Sequence, residues 1–177
     1  MSKMLTDKDI TAEEAIFGMR ETLAHKLRVA ELLADVAGRL VQRAIHHDDS
    51  KFDEVEFPTF AAITPRLKGV TYGSDEYKAT LAEFRPAIER HQKTNTHHPE
   101  FFGERGIAGM SLLDLMEMLC DWKAATERHD DGDLRRSIEI NAQRFGYGEE
   151  ISNLLTVTAV RLRLIPPEAE ASPEAKP

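Results

Sequence analysis

The chain of 177 residues lacks the features that many common sites and targeting segments require. It has one cysteine, Cys120, so no internal disulfide can form, and no Cys-x-x-Cys pair offers a thiolate zinc site. The start of the chain has no apolar run typical of a signal peptide, and no stretch approaches the roughly 20 apolar residues of a membrane span. A dinucleotide-binding glycine fingerprint and a P-loop are also missing. We therefore expect a cytoplasmic protein with no membrane partner.

Positive charge is scarce as well. The chain has 23 lysines and arginines against 31 acidic residues, which gives a formal net charge of -8. Nucleic acids and anionic membranes bind basic surfaces, so we expect neither as the main partner. A small anionic substrate stays compatible with this charge, because it needs only a local group of cations or a metal ion.

The apolar pattern predicts an all-α protein, since helical spacing recurs and no alternating strand pattern is present. A capping box at Thr11 and Glu14 begins a helix that should reach about Val36, and Gly38 predicts a break before a second helix. Residues 52–73 are expected to be mostly loop, with room for one short helix. The fold is predicted to be a single domain over residues 1–165, and the Pro- and Glu-rich tail 166–177 is expected to be disordered. A further helix is expected from Ser74 to about His91 or Lys93, within which Pro86 could produce a kink or start a second segment. Later helices are expected from Ser111, from about Leu134 to Phe145 and from Glu149 to about Leu164.

Five of the seven histidines fall in two short clusters, HHDDSK at 46–51 and HQKTNTHHPE at 91–100. Imidazole nitrogens and carboxylate oxygens in such clusters suit Mn, Fe, Co, Ni, Zn or Mg, so ligand type alone does not select the ion. His25 lies on a mostly apolar helix face, where a lone histidine is more often a satisfied core residue than a ligand. For the second cluster, the alternative is a group of surface histidines.

The helix predicted after Ser111 is apolar nearly all round and should be buried. Asp114, Glu117 and Asp121 nevertheless follow at i, i+3 and i+7, which places them along one stripe. Buried carboxylates are costly unless they are paired or bind a metal. A solvated stripe is the alternative for Asp114 and Glu117, whereas Asp121, beside Trp122, calls for a stronger explanation.

The order of these residues resembles the metal-ligand order of the HD superfamily, in which a helical histidine precedes a His-Asp pair and a distant aspartate. The segment His47 to Lys51 resembles the HD-x-G-K form of that superfamily, with Ser50 in place of glycine. Four runs, HHDDSKF, HQKTNTHHPEFF, MSLLDLMEMLCDWKAA and SIEINAQRFGY, together resemble an uncharacterised HD-like family of bacteria and their phages, over about residues 20 to 150. The resemblance implies an HD-domain-like bundle of about six helices with short loops. Members of the superfamily are often oligomeric, so a homo-oligomer is an expectation from the resemblance alone.

The resemblance also implies the ligands of a divalent metal centre. One ion would be bound by His25, His47, Asp48 and Asp121. A second would be bound by His91 and by His97 or His98, with Asp48 as a bridge. The sequence does not select between His97 and His98, and their short distance from His91 leaves one ion or two as alternatives.

The activity implied is metal-dependent phosphohydrolysis of a small phosphorylated substrate, with nucleotides as the leading class. The residues expected to act in catalysis are Asp48, Lys51 as a charge facing phosphate, and Glu54 as a general base or water-orienting group. Asp53 and Glu56 are alternatives to Glu54, and a solvated lysine is the alternative for Lys51. Two other functions stay open, a di-iron oxygenase of the same superfamily and a non-enzymatic binding protein with a structural metal or none.

Overall fold

The computed structural model describes residues 6, 9–71, 74–129 and 131–167. Every regular element that these residues form is a helix, which confirms the all-α prediction. Within the same residues, no helix combines the length and apolar composition needed to cross a membrane. Most of the tail predicted to be disordered, 168–177, lies outside the described residues. Seven α-helices are numbered in chain order, α1 Ala12–His46, α2 Phe57–Leu67, α3 Asp75–Glu83, α4 Arg85–Thr94, α5 Leu112–Thr126, α6 Leu134–Phe145 and α7 Glu149–Arg161, and two 3-10 helices span Asp49–Phe52 and Pro99–Gly109.

The chain divides into two compact units, Met1–His46 and His47–Pro177. The first unit contains α1, a helix of 35 residues. Its start has the predicted capping box, since the Glu14 backbone N–H donates to Thr11 Oγ1 at 3.2 Å and the Thr11 backbone N–H donates to Glu14 Oε2 at 2.7 Å. The predicted break at Gly38 is wrong, because α1 continues through it. A single interior glycine costs a helix only about 1 kcal/mol relative to alanine, which neighbouring helix-forming residues can offset.

The second unit begins with short helices that prolines help to delimit. Pro58 lies in the first turn of α2, where its missing N–H costs no hydrogen bond, so a helix of 11 residues forms in a segment expected to be mostly loop. Ser74 caps α3 as predicted, accepting from the Tyr77 backbone N–H at 3.2 Å. Pro86 falls in the first turn of α4, so of the two alternatives for this proline the structure shows the start of a second segment rather than a kink.

The hydrophobic core of this unit is formed by α5, α6, α7 and the 3-10 helix Pro99–Gly109. Ser111 caps α5 through a capping box with Asp114, which explains why that carboxylate is buried. The solvated alternative for Asp114 is therefore wrong. The buried apolar side chains of the core are Ile107, Leu115, Met118, Leu119, Leu134, Ile138, Leu155 and Ala159.

The helix α5 contributes both to the hydrophobic core and to a group of carboxylates outside it. Leu115, Met118 and Leu119 place one face of α5 in the core. Glu117 and Asp121 are four residues apart, so they share a different face of the same helix. Because packing in the core fixes the rotation of α5, it also fixes where these two carboxylates lie.

Candidate metal centre

Histidines and carboxylates from four segments of the second unit meet in one cluster. His47 and Asp48 lie in the turn before the 3-10 helix Asp49–Phe52, and His91 lies in the last turn of α4. His97 and His98 directly precede the second 3-10 helix, and α5 contributes Glu117 and Asp121. Three groups in this cluster could hold a metal ion, with one ligand atom of each residue within 4.8 Å of the others: Asp48, His91, His97 and His98; His47, His97 and Glu117; and His47, Asp48 and Asp121.

The backbone at Asp48 has an uncommon conformation. Its φ of 61° and ψ of 16° lie in the left-handed region, which a non-glycine residue adopts at a cost. Aspartate tolerates this region better than most residues, and such backbone conformations persist where the surrounding structure requires them, often at functional sites. The turn places the Asp48 carboxylate between the histidines of the cluster.

The first group is defined by buried atoms that have no hydrogen-bond partner. Nε2 of His91, Nε2 of His97, Nε2 of His98 and Oδ1 of Asp48 are all buried and unpaired among the described residues. The Oδ1 atom of Asp48 lies 3.1 Å from Nε2 of His91 and 3.4 Å from Nε2 of His97, without the alignment of a hydrogen bond. Buried polar atoms without partners are rare and costly, and here they belong to residues of one group that could hold a metal ion.

The other two groups share His47. Its Nε2 atom lies 3.4 Å from Oδ2 of Asp48 and 3.6 Å from Oδ1 of Asp121. Its Nδ1 atom lies 2.8 Å from Oε1 of Glu117, which is also 3.2 Å from Nδ1 of His97. Asp48 thus directs Oδ1 toward the three-histidine group and Oδ2 toward His47. The solvated alternative for Glu117 is wrong, since its side chain is only 13% exposed and contacts two histidines.

These contacts shift the ionisation of the cluster. Its interaction with Asp121, opposed by burial and assisted by Glu117 and Asp48, raises the pKa of His47 to about 9. Burial would raise the pKa of Asp48, but contacts with His91, His97 and Lys51 outweigh it and hold that pKa well below its ordinary value. Burial, followed by the charges of His97 and His91, lowers the pKa of His98 to about 3. The His98 imidazole is therefore neutral at pH 7, the form that binds a metal.

Two residues expected to act in catalysis lie in different surroundings. Lys51 is partly buried, with Nζ 2.5 Å from Oδ2 of Asp48 and 5.0 Å from the centre of the Phe60 ring. Its ammonium group is therefore beside the cluster. Glu54 is exposed, in the turn between the first 3-10 helix and α2. Its role as general base or water-orienting group stays a prediction.

The structure brings most of the predicted metal ligands together, but not all of them belong to the same compact unit. It brings His47, Asp48, His91 and Asp121 together, and it includes both His97 and His98 where the sequence left a choice. His25 belongs to α1, in the first unit, and its role as a ligand stays a prediction.

Sequence reasoning missed a set of polar residues behind His91. Glu56 is 0% exposed and contacts His91, Ser50 and Arg90. In the sequence it was only an alternative base, and its apolar neighbours gave no signal of its burial, since Val55 and Phe57 are themselves exposed. Asn95, which donates to Ser50 Oγ at 3.0 Å, had no distinguishing signal.

A cleft of about 1470 Å³ opens beside the cluster, with Asp48, His91 and His98 in its wall. Its volume exceeds the roughly 300–1,000 Å³ of most small-molecule pockets. Among the described residues that line it, seven are lysines or arginines and three are acidic, although the whole chain is negative. Apolar side chains from α2, α3 and α4 line another part, including Phe60, Ile63, Leu81 and Ile88. The cleft can therefore receive an anionic group together with an apolar body.

The comparison with protein families places the chain in a group defined by sequence. The model of a family described as "Family of unknown function (DUF5662)" matches residues 14–165. The chain belongs to this family. The match covers α1 from Glu14 onward and every residue of the candidate metal centre, so it includes parts of both compact units. The chain matches no curated protein and no solved structure.

Proposed function

We propose that this DUF5662 protein is a metal-dependent phosphohydrolase acting on a small phosphorylated substrate, with nucleotides as the leading class. The observation that carries the proposal is a group of three histidines and Asp48 that could hold a metal ion, in which the three Nε2 atoms and Asp48 Oδ1 are buried and unpaired among the described residues. Buried polar atoms without hydrogen-bond partners destabilise a folded protein. A divalent ion held by these atoms would compensate that cost.

The donor set narrows the choice of ion. Three imidazoles and one carboxylate suit Mn, Fe, Co, Ni or Zn, whereas Mg prefers oxygen ligands and retains several waters. His91, His97, His98 and Asp48 would hold this ion. A second ion would be held by His47, Asp48 and Asp121, since Oδ2 of Asp48 faces His47 whereas Oδ1 faces His91 and His97.

The resemblance to the HD superfamily supports the reaction class. That superfamily uses a helical histidine, a His-Asp pair, further histidines and a distant aspartate for phosphoester hydrolysis. The residues of this chain that correspond to all but the first of these lie in one cluster, whereas His25 belongs to the first unit. When bound, a divalent ion lowers the pKa of water and stabilises negative charge on phosphoryl oxygens. Lys51, beside Asp48, adds a cation that can contact a phosphate.

The cleft supports an organic phosphate as the substrate. Its cations would attract the phosphate, and Asp48, His91 and His98 in its wall bring that group to the cluster. The apolar part between α2 and α4 provides room for the rest of the molecule. Phe60 and Tyr77 line the cleft and could contact a base, which favours nucleotides within this class.

The direct test is hydrolysis by metal-depleted protein before and after reloading with Mn²⁺ or Co²⁺. A panel of nucleotides and simple phosphomonoesters would be followed by ³¹P NMR, which detects phosphate, pyrophosphate and triphosphate alike. We expect turnover of at least one nucleotide only after reloading, and a fall of at least 100-fold in Asp48→Asn. Asp75→Asn, an exposed aspartate at the start of α3, is the matched control and should keep its activity.

Three outcomes would contradict the proposal. The absence of any phosphorus-containing product with each of Mn²⁺, Co²⁺, Ni²⁺, Zn²⁺ and Mg²⁺ would overturn the hydrolase. Oxygen consumption by iron-loaded protein without phosphate release would replace it with the oxygenase. A metal that raises the melting temperature but supports no turnover would indicate a binding protein with a structural metal.

A further inference from the structure

We propose that Glu56 is a positioning residue that sets the tautomer and orientation of His91, a role that rests on the proposed metal centre. Oε2 of Glu56 lies 3.0 Å from Nδ1 of His91, and both residues are buried. On the opposite side of the ring, Nε2 of His91 has no hydrogen-bond partner among the described residues and lies 3.1 Å from Oδ1 of Asp48. One ring nitrogen therefore faces a carboxylate and the other faces the cluster.

The neighbours of Glu56 donate hydrogen bonds to both of its carboxylate oxygens. A fully buried carboxylate is costly unless it is paired, and the Arg90 guanidinium donates to Oε1 of Glu56. The Ser50 hydroxyl donates to Oε2 at 2.8 Å. An ionised carboxylate only accepts hydrogen bonds, so Nδ1 of His91 must carry the proton in this contact. In neutral His91, Nε2 then presents its lone pair to the cluster.

Asn95 does not require the opposite tautomer. Its Nδ2 atom lies 3.1 Å from Nδ1 of His91, but it already donates to the His91 backbone carbonyl at 2.8 Å and to Ser50 Oγ at 3.0 Å. Those two contacts use both protons of the side-chain amide. Ser50 Oγ accepts from Asn95 while it donates to Glu56, so the three polar groups around His91 form one consistent arrangement.

This arrangement matches the way proteins orient metal-binding histidines. The nitrogen that does not bind the metal usually donates to a carboxylate or carbonyl, and loss of that partner typically weakens metal binding by 10- to 100-fold. Glu56 reaches His91 from the turn before α2, across 35 residues of sequence. It does not line the cleft and so has no direct contact with a substrate there.

The first test needs no metal and no variant. Long-range ¹H–¹⁵N correlation spectra of metal-free protein near neutral pH should show His91 with its proton on Nδ1. A wild-type His91 that carries a proton on Nε2 and none on Nδ1 would overturn the proposal, whether or not the protein binds metal. Failure of the metal centre would instead appear as absence of Zn²⁺ binding with the Nδ1–H tautomer still present.

Variants then separate positioning from a structural role. Glu56→Ala should shift His91 away from the Nδ1–H tautomer and weaken Zn²⁺ binding by 10- to 100-fold, measured by competition with a chromophoric chelator. Glu56→Gln keeps an oxygen that can accept from Nδ1, so it should restore the tautomer and most of the affinity. Glu139→Ala, an exposed glutamate of α6, is the matched control. Unchanged tautomer and affinity in folded Glu56→Ala would refute the proposal. If Glu56→Ala does not fold, the wild-type spectrum and Glu56→Gln still decide it.

Discussion

Replacing His97 by alanine should remove most of the stabilisation that a bound metal gives to this protein. His97 is 3% exposed and belongs to two of the three candidate ligand groups. An ion that binds only the folded state stabilises it by about 2.7 kcal/mol when its concentration is 100 times the Kd. For a chain of this length, 1 kcal/mol corresponds to about 2–4 °C in Tm, so the wild-type shift should be about 5–11 °C.

The expected loss of metal affinity follows from the role of His97 as a direct ligand. Removing an outer-shell partner of a metal ligand typically weakens binding by 10- to 100-fold, and a direct ligand should reach at least about 100-fold. At the same ion concentration the variant would then be near its own Kd, where the stabilisation falls to about 0.4 kcal/mol. The Tm shift should therefore fall to about 1–2 °C.

The assay is differential scanning fluorimetry of metal-depleted protein with and without Zn²⁺ or Mn²⁺. The matched control is His129→Ala, which deletes an imidazole outside all three groups and should keep the wild-type shift. Equal shifts in wild type and His97→Ala would refute the assignment of His97 to the metal centre. A shift lost in both variants would show that the effect is not specific to these groups.

Three further outcomes are expected. Ser111→Ala removes the capping box of α5 and should lower the unfolding free energy by about 1 kcal/mol in a thermal melt, without changing the number of metal ions bound. In chelated protein, the Tm should fall as pH rises from about 6.5 through 9, because the raised pKa of His47 stabilises the folded state most below the unfolded value; His47→Gln should lack this fall. Lys51→Met should raise the KM for a phosphorylated substrate while elemental analysis shows unchanged metal content, since its ammonium lies beside Asp48 without belonging to a ligand group.

The parts of the fold that local chemistry determines were predictable from the sequence. Thr11, Ser74 and Ser111 were each expected to cap a helix, and each does, because a cap depends on residues within one turn. The break at Gly38 was wrong because a glycine penalises a helix without forbidding it. The helix from Phe57 to Leu67 was underestimated since its prolines were read as loop signals rather than by their position in the helix.

In the candidate site, too, the sequence identified local features but not contacts between distant residues. Residue types with metal chemistry stood out in short clusters, so His47, Asp48, His91, His97 and His98 could be named in advance. Their partners could not, because contacts such as Glu56 with His91 and Glu117 with His47 join residues 35 and 70 positions apart. A pattern of spacing within one helix carries no information on such pairs. The sequence also left one histidine to choose from His97 and His98, whereas the structure brings both into one group.

The measurement that tests the central claim most directly is metal content, determined by elemental mass spectrometry on protein purified without a histidine tag. Wild type should contain one or two equivalents of Mn, Fe, Co, Ni or Zn, and Asp48→Ala, which removes the carboxylate shared by two of the ligand groups, should lose them. Two equivalents would support both ions, and one would support the three-histidine group with Asp48 alone. No bound metal in wild type, even after incubation with Mn²⁺ or Co²⁺, would contradict the metal centre.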